Sequence, residues 1–207
     1  MKTIIKTVLI ATTMLPAFIG NAQDKKKVVE SIAIGTGIPV ATQKMRSTDG
    51  KEVSLKGANK NGLIVMFSCN TCPYVLKSQE RTKEIMAFAK EKGVGMVVVN
   101  SNQAYREKDD SFEEMKKYAK EQGYTAPYVL DEGSAVADAF GANRTPEVFL
   151  FDKSGKLVYK GAMEDSPATP ASSKELYLKD AILKMQAGLA PDPNTTKSIG
   201  CSIKRSI

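Results

Sequence analysis

Leu63-Ile64-Val65-Met66-Phe67-Ser68-Cys69-Asn70-Thr71-Cys72-Pro73-Tyr74 is the stretch on which the reading of this chain turns. Five consecutive apolar residues, Leu63–Phe67, suit a strand buried on both faces. Cys69 and Cys72 follow after a single serine. Pro73 then opens a helical pattern that runs to about Lys92, since the N–H that proline lacks has no partner in a first helical turn. Gly93 ends that pattern. Strand, Cys-x-x-Cys and helix in direct succession carry Cys69 to the point where a sheet edge meets a helix start. Free N–H groups and the positive end of the helix dipole favour a thiolate there. Such settings bring a cysteine from about 8.5 down to roughly 3.5–7.5. Two intervening residues let Cys72 reach back and close a small disulfide. The expected chemistry is therefore exchange, with Cys69 as nucleophile and Cys72 as resolving cysteine.

Upstream, the turn-rich segment from Ile38 to Leu55 contains Asp49-Gly50, which predicts a hairpin between Gln43–Arg46 and Glu52–Leu55. Downstream, strands are expected at Gly95–Asn100, Tyr128–Leu130, Glu147–Phe151 and Leu157–Lys160, the last two joined by Asp152-Lys153-Ser154-Gly155. Helices are expected over Ser111–Gln122, Ser134–Phe140 and Ser173–Ala187, with Leu178, Ile182, Met185 and Leu189 near one face of the last. Alternation of this kind predicts an α/β fold with a mixed central sheet and helices on both faces. The residues beyond Gly188 read as irregular, and the run Glu107–Asp110 reads as a solvated approach to a helix.

Lys2 and Lys6, the uncharged run Thr7–Ile19 and the small residues Gly20-Asn21-Ala22 form the pattern of a secretory signal peptide over residues 1–22. The apolar run is shorter than the roughly 20 residues that span a bilayer, so no stable membrane anchor is expected after its removal. No cysteine follows it to carry a lipid. The expected location is the periplasm or the medium. Residues 23–35, with Lys25-Lys26-Lys27, read as a flexible N-terminus, residues 36–190 as one domain, and residues 191–207 as a C-terminal tail. The net charge of +7 falls to about +5 without Lys2 and Lys6, and the lysines are interspersed with acids, so nucleic acid is not an expected partner.

The chain has no histidine, which excludes Cys–His and Ser–His–Asp catalysis and any histidine metal ligand. Half a zinc site is one reading of a bare Cys-x-x-Cys, but Cys201 is the one remaining Cys or His, so no metal and no cofactor are expected. A structural disulfide is another reading open to an exported chain.

Four segments carry a resemblance. Phe67–Val75, with Cys-Asn-Thr-Cys-Pro, is similar to a subgroup with a C-N-x-C-P motif. Arg144-Thr145-Pro146-Glu147-Val148-Phe149-Leu150-Phe151-Asp152 resembles a cis-proline segment and its following strand. Lys153–Gly161 resembles a closing hairpin, and Ser198–Lys204 that subgroup's tail. Over about residues 36–204 the chain resembles the thioredoxin-like superfamily, in its redoxin branch of alkyl hydroperoxide reductases and thiol-specific antioxidants. The resemblance implies a three-layer thioredoxin-like fold and a thiol–disulfide oxidoreductase that works on protein disulfides or thiols with an electron donor or acceptor protein. It implies that Pro146 is the cis-proline facing the site. It also places Thr145 beside Cys69, its backbone available to a bound chain.

The chain departs from that family in places. Leu63–Phe67 carries no buried acid, and no tryptophan precedes Cys69. A peroxiredoxin-like peroxidase is the rival activity. Its Pro-x-x-x-Thr-x-x-Cys pattern would need Pro and Thr where Gly62 and Met66 stand before Cys69, or where Val65 and Cys69 stand before Cys72. Arg144 could polarise a peroxide there, and its plainer reading is a surface arginine. A redox-inactive binding scaffold is a third reading. Cys201, the odd thiol, is open to three roles: a second resolving cysteine for Cys69, a link between chains, or a free thiol.

Overall fold

Leu63–Ser68 forms a strand with every residue buried, and the rest of the sheet is built around it. The structure is a computed structural model and describes residues 29–206. The proposed leader and residues 23–28 lie outside the described residues. In chain order the strands are β1 Lys44–Arg46, β2 Glu52–Ser54, β3 Leu63–Ser68, β4 Gly95–Asn100, β5 Tyr128–Leu130, β6 Arg144–Thr145, β7 Glu147–Phe151, β8 Leu157–Gly161 and β9 Cys201–Ser202. The helices are α1 Leu55–Ala58, α2 Pro73–Lys77, α3 Gln79–Glu91, α4 Phe112–Glu121, α5 Ala135–Phe140 and α6 Tyr177–Gln186.

Five strands make the central sheet in the order β5-β4-β3-β7-β8. β3 runs parallel to β4 and antiparallel to β7, which gives the mixed sheet expected from the sequence. Successive side chains of β3 point to opposite faces. Ile64 and Met66 join the core under α3, α4 and α6, with Ile85, Met115 and Ile182. Leu63, Val65 and Phe67 join the other core, with Leu55, Phe140 and Phe149. Helices therefore cover both faces. Phe67, Phe140 and Phe149 meet edge to face, with centroids 5.2–5.7 Å apart.

Several elements differ from the sequence reading. The helix expected from Pro73 to Lys92 divides at the buried Ser78, whose N–H is shared between the Tyr74 and Val75 carbonyls. The last helix begins at Tyr177, four residues late, because the residues before it bond to a loop instead: Lys174 N–H donates to the Asp165 carboxylate and Asp165 N–H to the Glu175 carbonyl. Leu189 lies beyond the end of α6 and is exposed.

Both termini of the described chain are tied down. The segment 29–35, read as part of a flexible N-terminus, donates from Ile32 N–H to Phe140 and from Gly35 N–H to Leu157, while Asn143 Nδ2 donates to the Val29 carbonyl. The tail, read as irregular, contributes β9 and buries Ile203 at 4% exposure. Among the described residues no helix is long and apolar enough to cross a membrane.

Gly141 ends α5 with φ +63°, and a Cβ there would stand 1.8 Å from the Glu30 carbonyl oxygen. Gly141→Ala is expected to lower unfolding free energy by about 1–3 kcal/mol, read as a lower denaturant midpoint at unchanged m-value. An unchanged midpoint would show that segment 29–35 does not pack there.

Candidate active site

β3 delivers Cys69 at its carboxyl end, and Asn70-Thr71 carries the chain across to Cys72, the N-cap of α2. The same end of the sheet receives Thr145 from β6, because β7 pairs antiparallel with β3 in the register Phe67↔Glu147. The Thr145–Pro146 peptide is cis. Cys69 Sγ lies 3.5 Å from Thr145 Oγ1, and Cys72 Sγ lies 3.2 Å from the Thr145 carbonyl oxygen. Cys69, Cys72 and Thr145 are only 2%, 4% and 1% exposed.

Another residue of the site arrives from the far end of the chain. β9 pairs antiparallel with β6, with Thr145 opposite Cys201 and Arg144 opposite Ser202. Cys201 Sγ stands 2.6 Å from Cys72 Sγ. That is far inside ordinary sulfur contact and outside the roughly 2.05 Å of a disulfide, and all three cysteines are free thiols. Of the roles open to Cys201, a link to Cys69 does not match this placement, since its neighbour is Cys72. The Thr145 edge, expected to be available to a bound chain, is occupied by the protein's own tail. Gly200 permits this, since a Cβ there would stand 2.2 Å from the Thr145 carbonyl oxygen.

Cys72 is the centre of the sulfur cluster and is pulled down to about 4. The neighbouring Cys69 and Cys201 thiols and the Val75 N–H favour its thiolate, and burial opposes them. Cys69 is pushed up by the neighbouring Cys72, by its burial and by the negative Asp110 nearby, with Thr145 opposing. Cys201 is raised to about 11 by burial and by the charge on Cys72, against the pull of Lys204 and Arg144. These shifts favour the thiolate on Cys72 over Cys69 or Cys201. Thr145 can serve either protonation state of the pair. With the proton on Cys72, the Thr145 carbonyl accepts it, and the Thr145 hydroxyl can donate to a Cys69 thiolate.

A buried polar brace holds the loop between the cysteines. Asp110, with no exposure at all, accepts from the Asn70 N–H at 2.9 Å, from Asn100 Nδ2 at 2.7 Å and from Asn102 Nδ2 at 2.8 Å. Tyr128 donates its hydroxyl to Asn70 Oδ1, and Asn70 Nδ2 donates to the Asp109 carbonyl. Each such buried donor, left unmade, costs about 1–3 kcal/mol. Asp110 is therefore not the solvated approach to a helix that its charged run suggested. Ser111 caps α4 through its Oγ, and Asp110 turns inward. No local pattern marks an acid whose partners lie on other elements. Asn70 had a signal, its place between the cysteines. Among the described residues no group of three or more Cys, Asp or Glu side chains is disposed to hold a metal ion.

Comparison with known proteins bears on the family and the fold. The redoxin family model matches residues 33–176. The thiol-disulfide oxidoreductase ResA of Bacillus anthracis is 26% identical over 110 residues, which is 53% of this chain and 60% of that protein. The match thus spans about three-fifths of that relative's length. An uncharacterized conserved protein of Geobacillus kaustophilus superposes with a TM-score of 0.77 at 34% identity, covering 84% of this chain and 93% of that one. The thioredoxin domain of a Bacteroides vulgatus thiol-disulfide oxidoreductase superposes with a TM-score of 0.55 at 22% identity, covering 68% and 96%, and shares the fold. With the redoxin model matched over residues 33–176, well over half of its length, this chain is a member of the redoxin family.

Proposed function

We propose that this chain is an exported thiol–disulfide oxidoreductase that exchanges disulfides with protein substrates through Cys69 and Cys72. The observation that carries the reading is the pair of buried sulfurs, Cys69 and Cys72, each within 3.5 Å of a polar group of Thr145. The name of the ResA relative supports the same activity. The basic start and apolar run of residues 1–22 support export, to the periplasm or beyond.

Cys69 attacks one sulfur of a substrate disulfide while its proton passes to the Cys72 thiolate. A Cys69–substrate disulfide forms, the substrate S–S bond breaks, and one substrate sulfur leaves as thiolate. That thiolate, of ordinary basicity near 8.5, takes the proton from Cys72. Cys72 then attacks Cys69, closing Cys69–Cys72 and releasing the second substrate sulfur. The substrate gains two electrons and the protein loses two. Run in reverse, the same steps oxidise a dithiol. A partner dithiol or disulfide protein resets the pair, and the two sulfurs hold both electrons without a cofactor. Thr145 contacts both reacting sulfurs directly, and Asn70 holds the loop between the cysteines.

Cys69→Ser and Cys72→Ser are each expected to slow reduction of a protein disulfide by about a hundredfold or more, measured as substrate thiol release. Wild-type rates in either variant would remove the proposed pair. Alkylation of the reduced protein should be half-maximal near pH 4, where one thiolate forms, instead of near 8.5. Reactivity should persist above that pH and disappear as pH falls through it. Half-maximal alkylation near 8.5 would contradict the lowered Cys72.

A further inference from the structure

We infer that Cys201 is a third exchange cysteine, which takes Cys72 over from Cys69 and so moves the disulfide from the buried pair to the tail. This rests on the reading of Cys69–Cys72 as the exchanging pair. Cys72 packs with Cys69 in one buried cluster, and Cys201 stands against that cluster with its sulfur 2.6 Å from Cys72 Sγ.

The tail around Cys201 is seated on both sides. Before it, Gly200 lies against the Thr145 carbonyl where no side chain fits, and its own carbonyl accepts from Arg144. After it, Ile203 N–H donates to Asn143, and Lys204 N–H donates to the buried Asn102 side chain. Arg205 closes on Asp138 and the Ala142 carbonyl. A thiol held this way faces little of the entropy cost that a free tail would meet in finding Cys72.

The step is an internal exchange. In the oxidised protein the Cys201 thiolate attacks Cys72, a Cys72–Cys201 bond forms, the Cys69–Cys72 bond breaks, and Cys69 leaves as thiolate. The Thr145 hydroxyl stands within 3.5 Å to donate to it. No electron enters or leaves, so no outside oxidant is needed. Oxidation of the pair also prepares the attacker. Once Cys72 is in a disulfide it carries no charge, and what remains beside Cys201 is burial opposed by Lys204 and Arg144. The result changes access as well as pairing. Cys69 and Cys72 are buried, whereas Cys201 is partly exposed, so the exchanged disulfide offers its outer sulfur to an external thiolate.

The test is disulfide mapping of the full chain, oxidised in a thiol–disulfide buffer, quenched in acid, alkylated and digested. In Cys69→Ser, and in parallel in Cys69→Ala, most chains are expected to carry an intramolecular Cys72–Cys201 link. In the wild type that link is expected at no less than about a tenth of the Cys69–Cys72 link, a tenfold difference being about 1.4 kcal/mol. Free Cys72 and Cys201 in both variants, links between chains only, or a wild type with Cys69–Cys72 alone would each overturn the inference. Cys201→Ser separates the two readings. If it cannot form Cys69–Cys72, the exchanging pair itself fails; if it forms that pair while Cys69→Ser makes no link, only the third cysteine fails.

Discussion

The two-sided enclosure of β3 constrains everything else in this molecule. Its backbone is hydrogen-bonded to β4 on one edge and β7 on the other, and its side chains are packed on both faces. A strand held in this way cannot slip by a residue without exchanging two cores. Cys69 is the first residue released from that grip after Ser68. Its position against Thr145 follows from register, since pairing β7 to β3 carries the residues before Glu147 to the same end of the sheet. The chemistry of the site is thus set by packing far below it.

Burial alone would work against that chemistry. Removing sulfur from water disfavours the thiolate, and the cysteines are nearly inaccessible. Hydrogen bonds reverse the balance at one centre. Two neighbouring thiols and a backbone N–H converge on Cys72, so one proton is given up readily and the others are held more tightly. Thr145 then offers an acceptor for a proton on Cys72 and a hydroxyl for a charge on Cys69. Because these groups are fixed, moving the proton requires no rearrangement of the backbone, and low local dielectric strengthens each contact.

Two sets of interactions keep the loop and tail in register with the sheet. The Asp110 carboxylate binds the loop from within, through Asn70, Asn100 and Asn102. The tail binds from outside, through β9 and the glycine at 200. Asn102 links the two sets, since it donates to Asp110 and accepts from Lys204 N–H. A change in the tail therefore has a direct hydrogen-bonded route to the loop that carries the cysteines.

The sequence by itself determined the strands that are continuous apolar runs, the hairpin at Asp49-Gly50, and the strand–Cys-x-x-Cys–helix succession. Each is a local pattern whose meaning does not depend on distant residues. The resemblance added Thr145 and Pro146 as neighbours of the pair. Only the tertiary structure decided the rest. β6 and β9 are two residues each and show no periodicity, so nothing local marks them as strands. Asp110 looked like one more acid in a charged run, because its three donors come from Asn70, Asn100 and Asn102 and meet only after the sheet has formed. Cys201 is 129 residues from Cys72, and no pattern in the tail says which sulfur it will face. That choice is made by backbone pairing with Thr145 and by the missing side chain at Gly200. A contact between distant segments depends on the summed geometry of everything between them, which is why it is settled in three dimensions and not along the chain.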